Sequence, residues 1–411
     1  MENRREFLKS IAITAVVARK VLGANDRIRV GVIGTGTRGR MVNRFFRTHS
    51  DCEVVGACDV RKSRLDEAMK EIGGDVQGYG DYRRILERKD IDAILVTTPD
   101  HWHGPIVAQA CEAGKDAYVE KPLTHTIEDA LMAVEAAKKY KKVVQLGVQQ
   151  RSGSHFQEAV KLIQDGYIGK VTHCVLIQPG AYNQVMAPPE PPPADLDWDM
   201  FQGPAPRRPF SPSRLRWRSF YAYGGGLITD WGVHLTDIAL LAMQADTKAP
   251  LHSSASAQYV AFPKDLEQIP DAFVCSWQYD NFVMSFTNAV PPSPDSGQQG
   301  NYFYGPKGVL HVNRSGYRVL PAPQRGGGRG AKEPPTPPIE AKKVSFKEDY
   351  ENDPHTIAHV RNFLDCVKSR QSPAADITTV GFHVTLPCLL GRLAVKEGKA
   401  YTWDGKKANP A

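Results

Sequence analysis

Apolar residues recur along the first third of the chain as short runs separated by amphipathic stretches. In "RIRVGVIGTGTRGRMVNRFF" (27–46), Ile28, Val30 and Val32 alternate, the run breaks into glycines, and an amphipathic stretch follows. That order predicts a strand, a tight turn and a helix. "CEVVGACD" (52–59), "IDAILVTTP" (91–99), "DAYVE" (116–120) and "VVQLGV" (143–148) read as further strands. Between them lie a charged helix from Arg61, a helix over about 104–113, and the strong helix "TIEDALMAVEAAKKYKK". Thr126 is placed to cap this last helix, with Asp129 at the reciprocal position. Strands alternating with helices imply a parallel, doubly wound sheet covered on both faces. The first domain is expected over 25–151.

Beyond that point the pattern changes. "KVTHCVLIQ", "DAFVCSWQYDNFVMSFTNAV" and "YFYGPKGVLHV" alternate over longer spans and predict antiparallel strands. The second domain, 152–411, is therefore expected to be α/β with a largely antiparallel open sheet. It should close on an amphipathic helix, "HTIAHVRNFLDCVKSR", whose stripe is Ile357, Val360, Phe363, Leu364 and Val367. Two segments resist assignment. One is the proline-crowded 187–212; the other is the Gly/Pro-rich 321–338, expected to be a mobile surface loop.

Composition narrows the class. With 411 residues, 41% hydrophobic and 24% charged, the chain reads as a soluble protein of two domains. The net charge of +7 is mild and unaccompanied by a basic block, so neither nucleic acid nor a membrane is expected as a partner. Seven cysteines without a CxxC pair indicate neither a disulfide framework nor a zinc site. At the start, "NRREFLKS" precedes the apolar run "IAITAVVA". With Arg4 and Arg5 adjacent, residues 1–24 resemble a twin-arginine export signal, which points to the periplasm; the alternative is a cytoplasmic protein with a basic leader.

The glycine turn carries the first chemistry. "GTGTRG" sets Gly34, Gly36 and Gly39 in GxGxxG spacing around Thr37 and Arg38, after a strand and at the start of a helix. Such a turn lets the backbone approach a pyrophosphate at the helix N-terminus, so a Rossmann dinucleotide-binding domain is expected. Asp59 ends the second strand, where a carboxylate binds ribose hydroxyls and repels a 2′-phosphate. NAD is expected over NADP, with Arg61 and Lys62 close enough to weaken the preference.

Three motifs then converge: "GTGTRG", "VEKP" after a later strand, and "GGGLITDWGVH" (224–234) in the second domain. Together with "TTPDHWH" (97–103) they resemble the Gfo/Idh/MocA superfamily, the glucose-fructose oxidoreductase and inositol dehydrogenase family. The resemblance implies that Lys121 meets the reacting hydroxyl, that the peptide bond to Pro122 is cis, and that Asp230 and His234 act beside it. If their segment is one helix, Asp230 and His234 share a face, with Leu235, Ile238 and Leu241 on the buried side. A histidine so placed exchanges protons near neutral pH. Thr98, Pro99, His103 and Glu120 are expected at the cofactor, Gln149 at the nicotinamide side, and Arg151, Trp217 and Asp230 at the substrate. Trp198, Arg216 and Arg218 are lesser substrate candidates. His101 and His103 have no accompanying acid cluster, so no metal centre is expected.

The implied function is an NAD-dependent oxidoreductase acting on a sugar, polyol or related cyclic alcohol, working as a homo-oligomer, dimer or tetramer. An alternative is an NAD-dependent glycosidase that oxidises its sugar transiently and recycles the cofactor. The glycosidases of the superfamily replace the motif lysine, whereas this chain keeps Lys121. A third alternative, a non-enzymatic sugar sensor or scaffold, sits poorly with the intact Gly34, Lys121, Asp230 and His234.

Overall fold

The computed structural model of the protein describes residues 27–289, 298–323 and 339–411. The leader and most of the Gly/Pro-rich loop thus lie outside the described residues. The first domain is built on strands β1 (Ile28–Ile33), β2 (Cys52–Cys58), β3 (Gln77–Tyr79), β4 (Ala93–Val96), β5 (Asp116–Glu120) and β6 (Val144–Gly147). They form one parallel sheet in the order β3-β2-β1-β4-β5-β6. β4, β5 and β6 are buried along their whole length, as a sheet covered on both faces requires. The strand order reverses between β1 and β4, which opens a crevice at their C-terminal ends.

One face of this sheet packs against the helices His103–Glu112 and Ile127–Lys139. Thr126 Oγ1 accepts from Asp129 N (3.2 Å), so the expected cap forms. The other face, lined by Val30, Val32, Leu95 and Tyr118, meets Phe45 and Phe46 of the helix Thr37–Arg47. It also meets a helix from the far end of the chain. The expected amphipathic helix forms over Pro354–Ser369, but its stripe closes the first sheet instead of a core of the second domain. Phe363 stands edge-on to Phe46 and Tyr118, at 6.0 and 5.8 Å between ring centres. Arg361 grips the Asp51 carboxylate from two nitrogens (2.7 and 2.9 Å), and Arg370 reaches Asp116 (3.0 Å). An amphipathic stripe announces that a helix is covered, not by which sheet.

The second domain carries β7 (His173–Ile177), β8 (His252–Gln258), β9 (Ala272–Gln278), β10 (Val283–Thr287), β11 (Gly300–Gly305), β12 (Gly308–Asn313), β13 (Gly316–Pro321), β14 (Lys342–Ser345), β15 (Tyr401–Trp403) and β16 (Ala408–Pro410). Their order is β14-β13-β12-β11-β7-β10-β9-β8-β15-β16, antiparallel except where β7 meets β10. Helices Gly232–Ala242 and Phe382–Glu397 pack on its inner face around Cys275, Trp277, Phe286 and Phe303. The expected architecture is therefore the one observed.

Docking of the helix Pro354–Ser369 on the first sheet has a measurable consequence. Phe363 is fully buried, so Phe363→Ala should lower the unfolding free energy by about 3–5 kcal/mol in urea titration. A loss under about 1 kcal/mol would mean that the helix merely rests on the sheet.

Candidate active site

The glycine turn follows β1 directly. Gly34 has φ +90°, and a Cβ there would lie 2.7 Å from the carbonyl carbon of Thr97, which follows β4. A Cβ on Gly39 would lie 2.0 Å from Gly34 O, so the helix Thr37–Arg47 can start close under the turn only with glycine. Around Gly36 the space is open, with Arg64 Nη1 as nearest neighbour at 3.7 Å. No side chain caps this helix, leaving first-turn N–H groups facing the crevice. Thr98 Oγ1 is buried and has no partner among the described residues. Open glycine, uncapped N–H groups and an orphaned hydroxyl fit a dinucleotide with its pyrophosphate on the turn.

Asp59 lines the same cavity, which measures about 240 Å³. Its Oδ2 accepts from Thr35 N (2.7 Å) and Oδ1 from Arg61 N (2.9 Å), so it also braces the turn. Of the two cations expected to compete with it, Arg61 also lines the cavity but pairs with Asp195 (3.3 Å), and Lys62 pairs with Asp66 (2.6 Å). Arg64, one helical turn on, is the arginine that faces Gly36; sequence spacing from Asp59 did not single it out.

The proline-crowded segment supplies the facing wall. Leu196, Met200, Phe201, Leu215, Trp217 and Arg218 line the cavity opposite the glycine turn. The segment is anchored to the first domain. Lys62 N donates to Asp195 O (2.8 Å), Asp197 N to Val60 O (2.9 Å), and Trp102 Nε1 to Met200 O (3.1 Å). Its own core is aromatic, with Trp198 stacked on Phe201 (5.1 Å) and near Phe210 and Tyr223. Trp198 is thus a packing residue, and Arg216 is exposed outside both cavities described here. His101 belongs to this packing too, with Nε2 2.9 Å from Phe201 O.

A second cavity, of about 320 Å³, shares Arg38, Thr97, Thr98, Trp217 and Arg218 with the first, so the two are continuous. Lys121 enters it from the end of β5; its peptide bond to Pro122 is cis. Lys121 Nζ donates to Asp230 Oδ1 (2.6 Å) and to Asp230 O (2.7 Å). Arg218 Nε donates to the same Oδ1 (3.2 Å), and the Tyr182 hydroxyl donates to Oδ2. Burial opposes ionisation of Asp230, yet Lys121 and Arg218 outweigh it and hold the carboxyl far below the usual range.

The segment read as one helix is two, Gly226–Asp230 and Gly232–Ala242, meeting at Trp231. Asp230 ends the first and His234 lies in the first turn of the second, and both still face the cavity; Leu235 and Ile238 are buried as expected, while Leu241 is only half-buried. His234 is 3% exposed, and its Nδ1 has no partner among the described residues. Burial, then Lys121, push its pKa well below the ordinary histidine value, so the ring is neutral at pH 7 and does not titrate near neutrality, contrary to the expectation from its sequence position.

The remaining expected residues divide. Glu120 takes Arg38 Nη2 at 2.8 Å, and Gln149, with its amide assigned so that the oxygen faces the guanidinium, accepts from Arg38 Nη2 (3.3 Å). The His103 ring nitrogens lie 2.7 Å from Pro122 O and 2.9 Å from Thr98 O, stapling the loops after β4 and β5. Pro99 lines the first cavity. Arg151 does not reach either cavity. It is buried against Asp237 (2.6 Å), Asp246 (3.3 Å) and Ala374 O (2.7 Å), because the helix after Trp231 offers it a carboxylate in the core. Tyr182, Arg314 and Asp100 line the second cavity without having been expected there; Asp100 lay inside the quoted "TTPDHWH", beside residues that were.

Comparison with known proteins follows the same division. Residues 28–148 match a family profile described as the NAD-binding Rossmann fold of an oxidoreductase family, and 152–311 its C-terminal alpha/beta domain. The chain is 34% identical over 167 residues to inositol 2-dehydrogenase 3 of Saccharopolyspora erythraea, covering 39% of this chain and 49% of that protein. It is 28% identical over 183 residues to a glycosyl hydrolase family 109 protein of Shewanella baltica, covering 41% of this chain and 39% of that one. The alignments thus span less than half of these curated relatives. Among solved structures, myo-inositol 2-dehydrogenase from Lactobacillus plantarum superposes with a TM-score of 0.65 at 18% identity, over 92% of this chain and 99% of that one. Levoglucosan dehydrogenase in complex with NADH and levoglucosan gives 0.65 at 18%, over 91% and 98%. At these identities the structures establish the fold alone.

The placement of Arg151 is testable. Arg151→Met strands the fully buried Asp237 without its cation and should cost about 3–5 kcal/mol of stability in denaturant titration. Adding Asp237→Leu should recover most of that loss. A single variant of wild-type stability would return Arg151 to the substrate candidates.

Proposed function

The chain belongs to the Gfo/Idh/MocA oxidoreductase family, and from that premise we propose an NAD-dependent enzyme that moves a hydride between the nicotinamide and a carbinol carbon of a sugar, polyol or related cyclic alcohol. The observation that carries the proposal is the meeting of Lys121, Asp230 and His234 in a cavity continuous with the glycine-turn cavity. Bound NAD supplies the hydride acceptor. The chain supplies the rest. Lys121, ion-paired with Asp230, presents a fixed positive charge to the reacting oxygen and favours the alkoxide that forms as the proton leaves. His234, neutral and with a free ring nitrogen, accepts that proton. Asp230 holds Lys121 in place with Tyr182 and Arg218 behind it. Trp217 and Arg218, common to both cavities, orient the ring between them.

The relatives named as inositol 2-dehydrogenase support a cyclic polyol substrate. Those named as glycosyl hydrolase family 109 proteins support a second reading, in which the same proton and hydride steps precede bond cleavage and the cofactor is restored. The outer face of the ten-stranded sheet exposes Val274, Val283, Tyr304 and Leu320, which favours pairing of subunits across it.

Two experiments test the reading. NAD should bind more tightly than NADP in fluorescence titration, because Asp59 faces the cavity while Arg61 beside it is paired with Asp195 and Lys62 with Asp66; Asp59→Ser should narrow the difference. Equal affinities would mean that Arg64 overrides the carboxylate. For the chemistry, sugars, polyols and glycosides are screened for reduction of bound nicotinamide and for bond cleavage. On the substrate so found, Lys121→Met and His234→Asn should each lower turnover by roughly 10²–10⁴ with cofactor affinity unchanged. Wild-type turnover in Lys121→Met would leave the lysine a structural tie between domains.

A further inference from the structure

Asp100 opens the short turn Asp100–Trp102 after β4, and it lines the second cavity with Lys121, Asp230 and His234. It is 2% exposed. No side-chain hydrogen bond or ion pair holds its carboxyl among the described residues. Two cations that share the cavity with it are paired with Asp230: Lys121 lies 2.6 Å and Arg218 3.2 Å from Asp230 Oδ1. Gly224 leaves room beside it; a Cβ there would approach Asp100 Oδ2 to 3.3 Å. A buried carboxyl that faces a cavity, lacks a partner and neighbours an ionised carboxylate is stable only with its proton on. In that form it is a donor as well as an acceptor.

We propose that Asp100 is a further substrate-contacting residue of this site, donating a hydrogen bond from its neutral carboxyl group to an oxygen of the bound ring. The inference rests on the reading of this cavity as a sugar or polyol site and adds what the cavity recognises. Asp230 accepts; Lys121, Arg218 and Asp100 donate. The wall around Asp100 therefore suits a ring oxygen that accepts hydrogen bonds, next to the carbinol that Lys121 addresses. The charge environment agrees. Burial first, and Asp230 second, push the Asp100 pKa well above that of an ordinary aspartate, against the opposing pull of Arg218, Lys121 and Arg392. Asn at this position keeps the shape and a donor; Ala keeps neither.

Infrared difference spectroscopy of the full-length protein with NAD, wild type against Asp100→Asn, reads the proton directly. At neutral pH the wild type should show the carbonyl stretch of a protonated carboxylic acid that Asp100→Asn lacks. That band should shift when myo-inositol, glucose or methyl glucoside is added; these offer hydroxyl, hemiacetal and acetal oxygens. Asp100→Asn should retain at least a tenth of the wild-type affinity for the probe that shifts the band, and Asp100→Ala should fall below it. A spectrum in which no protonated-carboxyl band is lost on substitution overturns the proposal. So does a band that none of the three probes moves. If a probe reduces bound nicotinamide while the band stays still, the Asp100 proposal fails and the oxidoreductase reading stands. If the band moves but no screened alcohol is ever oxidised, the contact stands and that reading fails.

Discussion

The ion pair between Lys121 and Asp230 joins residues 109 positions apart and fixes the relation of the two domains at the site. β5 is buried along its whole length, so Lys121 is the first side chain after it free to enter the crevice. Asp230 ends a short helix of the second domain that is itself buried. Among the described residues Lys121 has Asp230 as its one carboxylate partner, while Asp230 keeps Arg218 and the Tyr182 hydroxyl as well; removal of the carboxylate therefore strands the buried ammonium. The pair also sorts the protonation of its neighbours. Asp230 stays ionised, His234 beside Lys121 stays neutral, and Asp100 beside Asp230 is driven toward its protonated form. Burial is the larger cause for His234 and Asp100, and the pair adds to it: one fixed charge, one neutral base and one acid shifted toward its neutral form share a single cavity.

A second constraint is the proline-crowded segment. Short of regular structure, it holds its shape through an aromatic cluster and through backbone hydrogen bonds to residues 60–62. Gly203 shows how tightly it is seated: a Cβ there would fall 2.0 Å from the Trp102 ring. The segment forms the far wall of the glycine-turn cavity, then delivers Trp217 and Arg218 to the second cavity. Walls of both cavities are thus supplied by one continuous stretch of chain.

The parallel sheet was legible because its strands obey a strict local rule. Runs such as "AILV" are apolar throughout since both faces are covered, and glycines mark the turn where the backbone must approach Thr97. Lys121 and His234 stand out because "VEKP" and "GGGLITDWGVH" resemble motifs of the family. What stayed hidden depended on contacts between distant segments. The stripe on Pro354–Ser369 declared burial but not its partner, the first sheet. Arg151 looked available until the fold brought Asp237 against it. Asp100 drew no notice because its meaning lies in an absence of partners, which no spacing encodes. Prolines in 187–212 signalled irregular backbone and concealed a packed wall.

The account stands on hydride transfer in the cavity where Lys121 and His234 meet the glycine-turn pocket. The direct measurement uses an alcohol substrate deuterated at its carbinol carbon, in a single turnover with protein-bound NAD, followed by mass spectrometry of the released dinucleotide. The account predicts that the dinucleotide gains the deuterium. Product formation with an unlabelled dinucleotide would contradict it.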